Sequence, residues 1–454
     1  MKSLSTTVFT AVLLGGLQAF TPAMAVEPAY IVVPLGSASI PTWTATGVND
    51  KGQVCGWGQR PDYSEFGFVS GSCGGGVKLV DSGHGIAFAM NGSGQVTGVT
   101  SRNGQGLAFL TGPNGYGTSL VSTPSNASTE GFGVNKLGQI CGYYVKNSIY
   151  YAFVTAPSGG AVTLLGARGP TAFSFANAVN DSGQVVGGGP IGATNAVHAF
   201  VTDPNSATLR DLGVVFGDNS TALAINNHGQ VAGYSYDSTT HNSDAFVTDP
   251  NGGPVHDIGT LGGFVTVQNG IESYLFAARA IGINDAGTVV GGSSTHAGFG
   301  NDSGFIYKNG QMVDLNTLID PSTGIHIFTA SGISNDGFIC GAARYGTNQS
   351  APSFAVLLIP RATHLAAPTA LTATGHNTTV TLHWTASPGA QSYAIYRSTT
   401  AGVIGDHPID ADIHLTSYTD TGRKNGVKYY YAIRAEDQTG LSNQSAPASA
   451  TPHA

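Results

Sequence analysis

The sequence predicts an all-β protein: a seven-bladed β-propeller closed by its N-terminal strand, followed by a smaller β-sandwich. Two observations lead to this prediction. One phrase recurs seven times between residues 48 and 341, and a different strand pattern with its own aromatic residues begins after residue 367. A repeat of fixed length indicates a repeated supersecondary unit before any single residue is interpreted.

The repeated phrase is an apolar residue, Asn, two variable residues, Gly, often Gln, an apolar residue, any residue and Gly. Ser334 replaces the Asn in the last copy. An Asn side chain bonds to nearby backbone and Gly tolerates positive φ, so the phrase predicts a hairpin turn between two strands. The copies begin at Val48, Met90, Val134, Val179, Ile225, Ile283 and Ile333.

Two further strands are predicted in each repeat. A recurrent Phe marks the third strand, and a fourth strand follows a turn rich in Gly or Pro. Four short strands in a period of about 45 residues are typical of a propeller blade. An open β-solenoid is the alternative architecture. The recurrent aromatics are Phe68, Phe109, Phe153, Phe200, Phe246, Phe305 and Phe354.

The two ends of the repeat region predict how the ring closes. The seventh repeat ends at residues 354–359 without a fourth strand, whereas residues 30–36, ahead of the first repeat, resemble a fourth strand without its repeat. If this N-terminal strand completes the seventh blade, no sheet edge is left open.

Residues 368–452 form a separate unit after a predicted linker at 360–367. Val380, Leu382 and Trp384 alternate as in a half-buried strand, and residues 426–435 form a Tyr-rich strand. This segment resembles a fibronectin type III domain. The resemblance places Trp384 at the buried tryptophan and Tyr429 at the tyrosine corner.

The repeats at residues 30–359 resemble the HAF-repeat family of predicted extracellular proteins. The third-strand tripeptide His-Ala-Phe is literal at His198-Ala199-Phe200, and the run at 257–263 reads Asp-Ile-Gly-Thr-Leu-Gly-Gly. The resemblance implies export and a repeat fold, and it implies no reaction.

Residues 1–25 are predicted to be a secretory signal peptide, with Lys2, an apolar stretch and Ala23-Met24-Ala25 as the cleavage site. The propeller would then occupy residues 26–359 of a chain secreted to the periplasm or the extracellular space. The formal charge of −8, with only 18 basic residues, predicts that the chain has no nucleic-acid partner. No later segment is long enough to span a membrane. The oligomeric state stays open.

The four cysteines predict no disulfide framework. Cys55, Cys141 and Cys340 occupy one repeat position that accepts small apolar residues elsewhere, which indicates buried packing. Only Cys55 and Cys73 are close enough along the chain to suggest a bridge. No cofactor is predicted, and no metal site, since no Cys-x-x-Cys pair or His cluster occurs.

Eight acidic residues of the repeat region do not recur with its period, and they predict a ligand site. All eight fall in loops between the second and third strands or between blades, which share one end of a ring. Carboxylates accept hydrogen bonds from hydroxyl groups and aromatic rings pack on C–H surfaces, so such a face suits sugars. Solubility of long loops is the alternative reason for these residues. The candidate ligand-binding residues are Tyr63, Glu65, Glu130, Asp218, Tyr236, Asp237, His241, Glu272 and Tyr274.

Three functions are compatible with this pattern, and no catalytic residue is assigned. The first is a secreted, non-catalytic protein that binds a glycan or another extracellular ligand. The second is a glycan-active hydrolase or lyase, which needs paired carboxylates. The third is a structural envelope protein. An insertion near residues 264–275, which lengthens the sixth unit, is either a lid over the candidate site or a tolerated elaboration.

Overall fold

A computed structural model gives the structure of the chain. It describes residues 29–36, 42–81, 85–122, 127–166, 173–190, 196–240, 242–268, 271–295, 302–348, 351–361, 365–437 and 440–454, with backbone alone for 263–268 and 271–276. The predicted signal peptide lies outside these ranges.

Seven antiparallel sheets of four strands follow one another along the chain, one for each copy of the phrase. Strands are numbered in chain order and sheets by the copy they contain. Sheet 1 comprises β2 (Thr42–Val48), β3 (Val54–Gln59), β4 (Glu65–Ser70) and β5 (Val77–Val80). Sheet 2 comprises β6 (Gly85–Met90), β7 (Val96–Arg102), β8 (Gln105–Thr111) and β9 (Thr118–Leu120). Sheet 3 comprises β10 (Thr129–Val134), β11 (Ile140–Lys146), β12 (Ile149–Thr155) and β13 (Val162–Leu164).

The remaining sheets repeat this order. Sheet 4 comprises β14 (Phe175–Val179), β15 (Val185–Pro190), β16 (Val197–Thr202) and β17 (Leu209–Gly213). Sheet 5 comprises β18 (Asn219–Ile225), β19 (Val231–Tyr236), β20 (Ser243–Thr248) and β21 (Val255–Gly259). Sheet 6 comprises β24 (Ala278–Ile283), β25 (Val289–Ser294), β26 (Asp302–Lys308) and β27 (Gln311–Asp314). Sheet 7 comprises β28 (Ile325–Ile333), β29 (Ile339–Tyr345), β30 (Phe354–Pro360) and β1 (Tyr30–Leu35).

The remaining elements are short. The insertion before sheet 6 is a hairpin of β22 (Gly263–Gln268) and β23 (Ile271–Phe276). Single turns of 3₁₀ helix occur at Ser72–Gly74, Pro113–Gly115, Pro157–Gly159, Leu315–Thr317 and Pro321–Thr323. The described part of the chain contains no helix with the length and apolarity that a membrane span needs.

The predicted strand pattern is confirmed. Each copy of the phrase forms a hairpin between the first two strands of a sheet, and each recurrent Phe lies on a third strand. The predicted partner of the N-terminal strand is also confirmed: β1 pairs with β30 in antiparallel register, from Tyr30 opposite Pro360 to Leu35 opposite Ala355. β30 therefore extends one residue into the predicted linker.

A β-bulge interrupts the first strand of every sheet, two residues before the phrase. A bulge adds an unpaired residue and turns its side chain away from the regular alternation. The last Gly of the phrase lies opposite this region. At Gly142, for example, a Cβ atom would overlap the carbonyl oxygen of Glu130, so the close approach of the two strands requires glycine.

In sheets 2 to 6, the Asn of the phrase connects its sheet to the next one. Asn180 is buried, and its Oδ1 accepts hydrogen bonds from the backbone N–H groups of Ser182 and Gln184 at 3.2 and 3.0 Å. Its Nδ2 donates to Gln184 Oε1 at 2.9 Å and to the carbonyl oxygen of Asn226, in sheet 5, at 3.0 Å. All four hydrogen-bonding positions of the amide are therefore used.

This intersheet bond recurs from sheet 2 to sheet 7. In each case, Nδ2 of one Asn donates to the carbonyl oxygen at the same position of the next sheet. The pairs are Asn91 to Asn135 (2.9 Å), Asn135 to Asn180 (2.9 Å), Asn180 to Asn226 (3.0 Å), Asn226 to Asn284 (2.9 Å) and Asn284 to Ser334 (3.1 Å).

The residue after the Asn forms a second set of intersheet bonds. Its backbone N–H donates to the side-chain oxygen at the same position of the next sheet, as Asp181 donates to Asn227 at 3.0 Å. In the same way, Asn335 of sheet 7 donates to Asp50 of sheet 1 at 2.7 Å, which joins the last sheet to the first.

Two sheets after residue 365 form a fibronectin type III-like β-sandwich around one buried cluster. The predicted roles of two aromatic residues agree with the structure: Trp384 is buried in this cluster, and the Tyr429 hydroxyl accepts a hydrogen bond from the backbone of Lys424 at 3.1 Å. Leu365, from the predicted linker, also belongs to the cluster. The strands are β31 (Thr369–His376), β32 (Thr379–Thr385), β33 (Ser392–Ser398), β34 (Pro408–Ile413), β35 (Ser417–Thr421), β36 (Tyr429–Asp437), β37 (Gly440–Leu441) and β38 (Ala448–Ala450).

The sandwich packs directly against sheets 7 and 1. Tyr396, which is 1% exposed, and Leu441 belong to one hydrophobic cluster with Leu357 and Cys73. Next to this cluster, Glu436 accepts hydrogen bonds from Cys73 Sγ at 3.3 Å and Ser392 Oγ at 2.8 Å. The two units therefore share a core. All four cysteines are free, so Cys55 and Cys73 are not bridged.

Replacing Asn180 with Ala should lower the free energy of unfolding by about 2–4 kcal/mol, because buried backbone groups and Gln184 lose their partners. Asn180→Ser should cost less. Its hydroxyl can still accept the N–H four residues on, as Ser334 does from Phe338 at 3.2 Å, although it cannot bond to sheet 5. Urea denaturation followed by circular dichroism measures both values. A cost below about 0.5 kcal/mol for Asn180→Ala would contradict the role of this amide.

Glu436→Gln should raise the melting temperature at neutral pH and have little effect at pH 4. Burial, and to a lesser extent the carboxylates of Asp412 and Asp336, raises the pKa of Glu436. A raised pKa in the folded state contributes stability that is complete below the ordinary glutamate pKa and lost as pH rises through the raised value. Differential scanning fluorimetry from pH 4 to 7.5 should therefore show the variant's advantage widening with pH. Glu65→Gln, at an exposed glutamate, is the control. An advantage independent of pH would refute the assignment.

Candidate functional site

The seven sheets surround two cavities, one behind the other. The first, of about 270 Å³, is lined by the same three positions of every copy of the phrase. The second, of about 440 Å³, is lined by the residues just before them on the first strands. The bulges turn one residue of each first strand toward this second cavity: Thr46, Phe88, Phe132, Asn177, Leu223, Ile281 and Ser331.

We call the end of the sheets with the phrase turns the turn face, and the opposite end, where second strands end and third strands begin, the loop face. Polar groups at the turn face are largely bonded between sheets. Asp285 Oδ1 accepts from the Asn227 backbone at 2.8 Å, and its Oδ2 accepts from the Asn335 side chain at 3.1 Å. Asp181 lies 3.4 Å from Lys136 Nζ. These groups hold the sheets together.

On the loop face, the structure brings three of the predicted residues together in sheet 5. Asp218 accepts hydrogen bonds from the backbone and hydroxyl of Ser238 at 2.8 and 2.6 Å, and Asp237 accepts from Thr240 N at 2.7 Å. Burial raises the pKa of the Tyr236 hydroxyl, and the nearby Asp218 carboxylate is a smaller cause of the same shift. Asp218, Tyr236 and Asp237 therefore form one group.

Tyr63 lies in the loop between β3 and β4 of sheet 1, and Glu65 is the first residue of β4. Tyr63 has a φ of 65° and its side chain is 81% exposed. The neighbouring Asp62 accepts from the Ser64 hydroxyl at 2.6 Å, which fixes the loop. Tyr63 is thus the most exposed large aromatic side chain of the described residues.

Glu130 belongs to an aromatic group at the loop face of sheet 3. Glu130 lies opposite Tyr143 in the pairing of β10 with β11, and burial, followed by the neighbouring Glu130 carboxylate, raises the pKa of Tyr143. The Tyr143 ring packs edge-on against Tyr150, with centroids 4.9 Å apart, and lies 5.5 Å from Phe132. Phe132 is 5.0 Å from Phe88 of sheet 2. The group therefore runs from the central cavity to the surface, where Tyr150 is 45% exposed.

Three predicted residues fall where the structure gives no side-chain position. His241 lies outside the described residues. Glu272 and Tyr274 lie on β23, opposite Val267 and Val265 of β22, and only their backbone is described. Whether this hairpin covers Asp218 and Asp237 stays a prediction.

The carboxylates of Asp218 and Asp237 on the loop face are suited to accept hydrogen bonds. Hydrogen bonds from Ser238 lower the pKa of Asp218, and those from Thr240 and Thr239 lower the pKa of Asp237. A glycosidase needs one carboxyl group held protonated, with a raised pKa, near a second carboxylate. Asp218 and Asp237 therefore do not have the properties of a general acid. Among the residues described, no group of three side chains could hold a metal ion.

The sequence interpretation missed Tyr143, Tyr150, Phe132 and Phe88. Tyr143 directly follows the last Gly of its phrase, and Phe132 directly precedes Gly133 at the bulge. An aromatic residue at the position after this Gly also occurs at Trp57 and Tyr234. The recurrence of aromatic residues at this position of the repeat was the sequence signal that could have identified the aromatic group.

Comparison with known proteins gives partial similarities. No family model matches the chain. An amylopullulanase from Thermoanaerobacterium saccharolyticum is 41% identical over 77 residues, which is 17% of this chain and 6% of that protein. One from Thermoanaerobacter thermohydrosulfuricus is 40% identical over 97 residues, or 20% of this chain and 6% of that protein. The chain thus spans a small part of the curated relatives it matches. A solved Fn3-like protein from Clostridium thermocellum is 40% identical, covering 19% of this chain and 90% of that chain with a TM-score of 0.18.

Proposed function

We propose that this chain is an exported, non-catalytic glycan-binding protein whose loop face holds the ligand. In this proposal the seven sheets are the blades of a closed β-propeller with HAF-type repeats, and the C-terminal sandwich is packed against it. Export is proposed from the signal-like residues 1–25.

Three observations support a closed ring. β1 supplies the fourth strand of sheet 7, so the N-terminal end of the repeat region lies in the last sheet. The backbone of Asn335 in sheet 7 donates to Asp50 in sheet 1. All seven copies of the phrase line one cavity. An open solenoid would leave its first and last sheets apart and would expose an edge.

The observation that carries the proposed function is the aromatic group around Glu130. Tyr150 and Tyr143 present ring faces and edges beside a carboxylate at the surface. Sugars combine C–H surfaces, which pack on aromatic rings, with hydroxyl groups, which donate to carboxylates. The ionised Asp218 and Asp237 on the same face add acceptors.

A glycan-array screen of the whole mature protein, with product analysis on every hit, tests the proposal. Binding without turnover supports it. Turnover would instead identify a hydrolase or lyase, and the absence of any binding would favour a structural role.

Tyr150→Ala should weaken binding of an array hit by about three- to tenfold, because an aromatic contact is worth about 0.5–1.5 kcal/mol. Glu130→Gln should weaken it as well, since the amide is uncharged. Tyr116→Ala is the matched control: this tyrosine is 66% exposed and packs under Lys78, away from the loop face. Calorimetric titration measures the affinities, and equal effects of the Tyr150 and Tyr116 variants would contradict the site.

A further inference from the structure

The loop face carries two arginines where sheets 7 and 1 meet. Arg60 directly follows β3, and Arg344 is the last but one residue of β29. Both strands are the second strands of their sheets, so the two residues lie at the same end of neighbouring sheets.

Arg344 is a buried cation that has no anionic partner among the described residues. The residue is only 9% exposed, and its Cζ lies 4.3 Å from the centroid of the Phe328 ring. Its Nε is buried and has no hydrogen-bond acceptor. Burial of a charged group without a partner is costly, so an arginine in this position needs a reason.

Arg60 is placed in the same way in sheet 1. Its Cζ lies 4.8 Å from the centroid of Phe66, and Nη1 donates to the Ser64 hydroxyl at 3.2 Å. The charge of Arg60 is a minor cause of the lowered pKa of Asp62, whose carboxylate is bonded to Ser64. The guanidinium is thus held by a ring and a hydroxyl, with Asp62 nearby.

Both side chains point into one junction. Trp43 and Phe66 of sheet 1 share a hydrophobic cluster with Cys340 of sheet 7. Arg344 is four residues beyond Cys340 on the same strand, and alternation places both side chains on the side that faces sheet 1. Arg60 stacks on Phe66, on the side that faces sheet 7.

Trp43 adds an unused donor at this junction. The residue is 5% exposed and packs edge-on against Phe66, with centroids 5.0 Å apart. Its indole Nε1 is buried and has no acceptor. Buried Trp N–H groups usually find a partner, so a free one on a ring that packs against Phe66, as Arg60 does, indicates a missing acceptor.

Several other arginines of the described residues are neutralised by carboxylates, whereas Arg210 bonds to backbone carbonyl groups and Arg279 stacks on Tyr234. Arg102 pairs with Asp81, and Arg434 pairs with Asp406 at 2.6 Å. Arg397 is 2.8 Å from Asp420. Among the described residues neither Arg60 nor Arg344 forms such an ion pair, so in a chain of formal charge −8 they place positive charge at the same end of two neighbouring sheets.

We propose that Arg60 and Arg344 bind the oxyanion of an acidic glycan, either a uronate carboxylate or a sulfate ester. A planar guanidinium fixed on an aromatic ring keeps its edge free for two parallel hydrogen bonds to such a group. The Trp43 N–H is a third donor for the same ligand. This inference rests on the proposed glycan-binding function and names the class of glycan.

Calorimetric titration of the whole mature protein tests the site with two matched pairs of probes. The first is a galacturonate pentamer and its methyl ester, and the second is chondroitin 4-sulfate and unsulfated chondroitin. At least one acidic probe should bind about tenfold or more tightly than its uncharged or less charged partner, and added salt should weaken it.

Variants assign the effect to these residues. Arg344→Gln and Arg60→Gln should each weaken the acidic probe by about ten- to a hundredfold, because a hydrogen bond to a charged group is lost. Arg102→Gln, at the corresponding end of β7 but paired with Asp81, should change affinity less than about twofold. Melting temperatures verify folding. If Arg344→Gln does not fold, the Arg60 variant decides the matter.

Three results would overturn the inference. If acidic and neutral probes bind equally and the arginine variants change nothing, the anion site is wrong, while glycan binding stands. If inorganic sulfate competes at the affinity of the oligosaccharide, the site takes a free anion and no glycan. If no probe and no array glycan binds, the proposed function itself fails.

Discussion

One buried side chain organises the seven-sheet region: the Asn of the repeated phrase. Its amide oxygen closes the hairpin turn of its own sheet, and its amide nitrogen reaches the carbonyl oxygen at the same position of the next sheet. Because the group is buried, each bond it fails to make would leave a polar atom without a partner. The turn within a sheet and the distance between sheets are therefore set by the same residue.

Conditions at the junction of sheets 7 and 1 differ from those at the other junctions. Ser334 has no amide nitrogen, so of the two kinds of intersheet bond only the backbone bond, from Asn335 to Asp50, is formed here. Hydrophobic packing supplies the rest: β1, Phe338 and the sandwich residue Tyr396 share one cluster there. The C-terminal unit therefore covers the place where the two ends of the repeat region meet, which a flexible spacer would not do.

The two faces of the region divide scaffold from candidate site. At the turn face, polar side chains bond from sheet to sheet and few are left for a ligand. At the loop face, the side chains differ between sheets: an aromatic group with Glu130 in sheet 3, acids fixed by Ser238 and Thr240 in sheet 5, and stacked arginines in sheets 1 and 7. In a repeated fold, the residues of the loop face can differ from sheet to sheet without any change in the bonds that hold the sheets together.

The sequence by itself determined the local elements. Strand alternation, the Asn and Gly of the turn and the incomplete seventh repeat are properties of neighbouring residues, so four strands per repeat and the pairing of β1 with β30 could be predicted. The grouping of Asp218, Tyr236 and Asp237 followed from adjacent loops of one sheet. Only the tertiary structure decided the rest. The bonds between sheets, the shared core with the sandwich and the placement of Arg60 and Arg344 at one end of neighbouring sheets involve residues from 41 to more than 280 positions apart. Such contacts depend on how whole sheets pack, which no local pattern specifies.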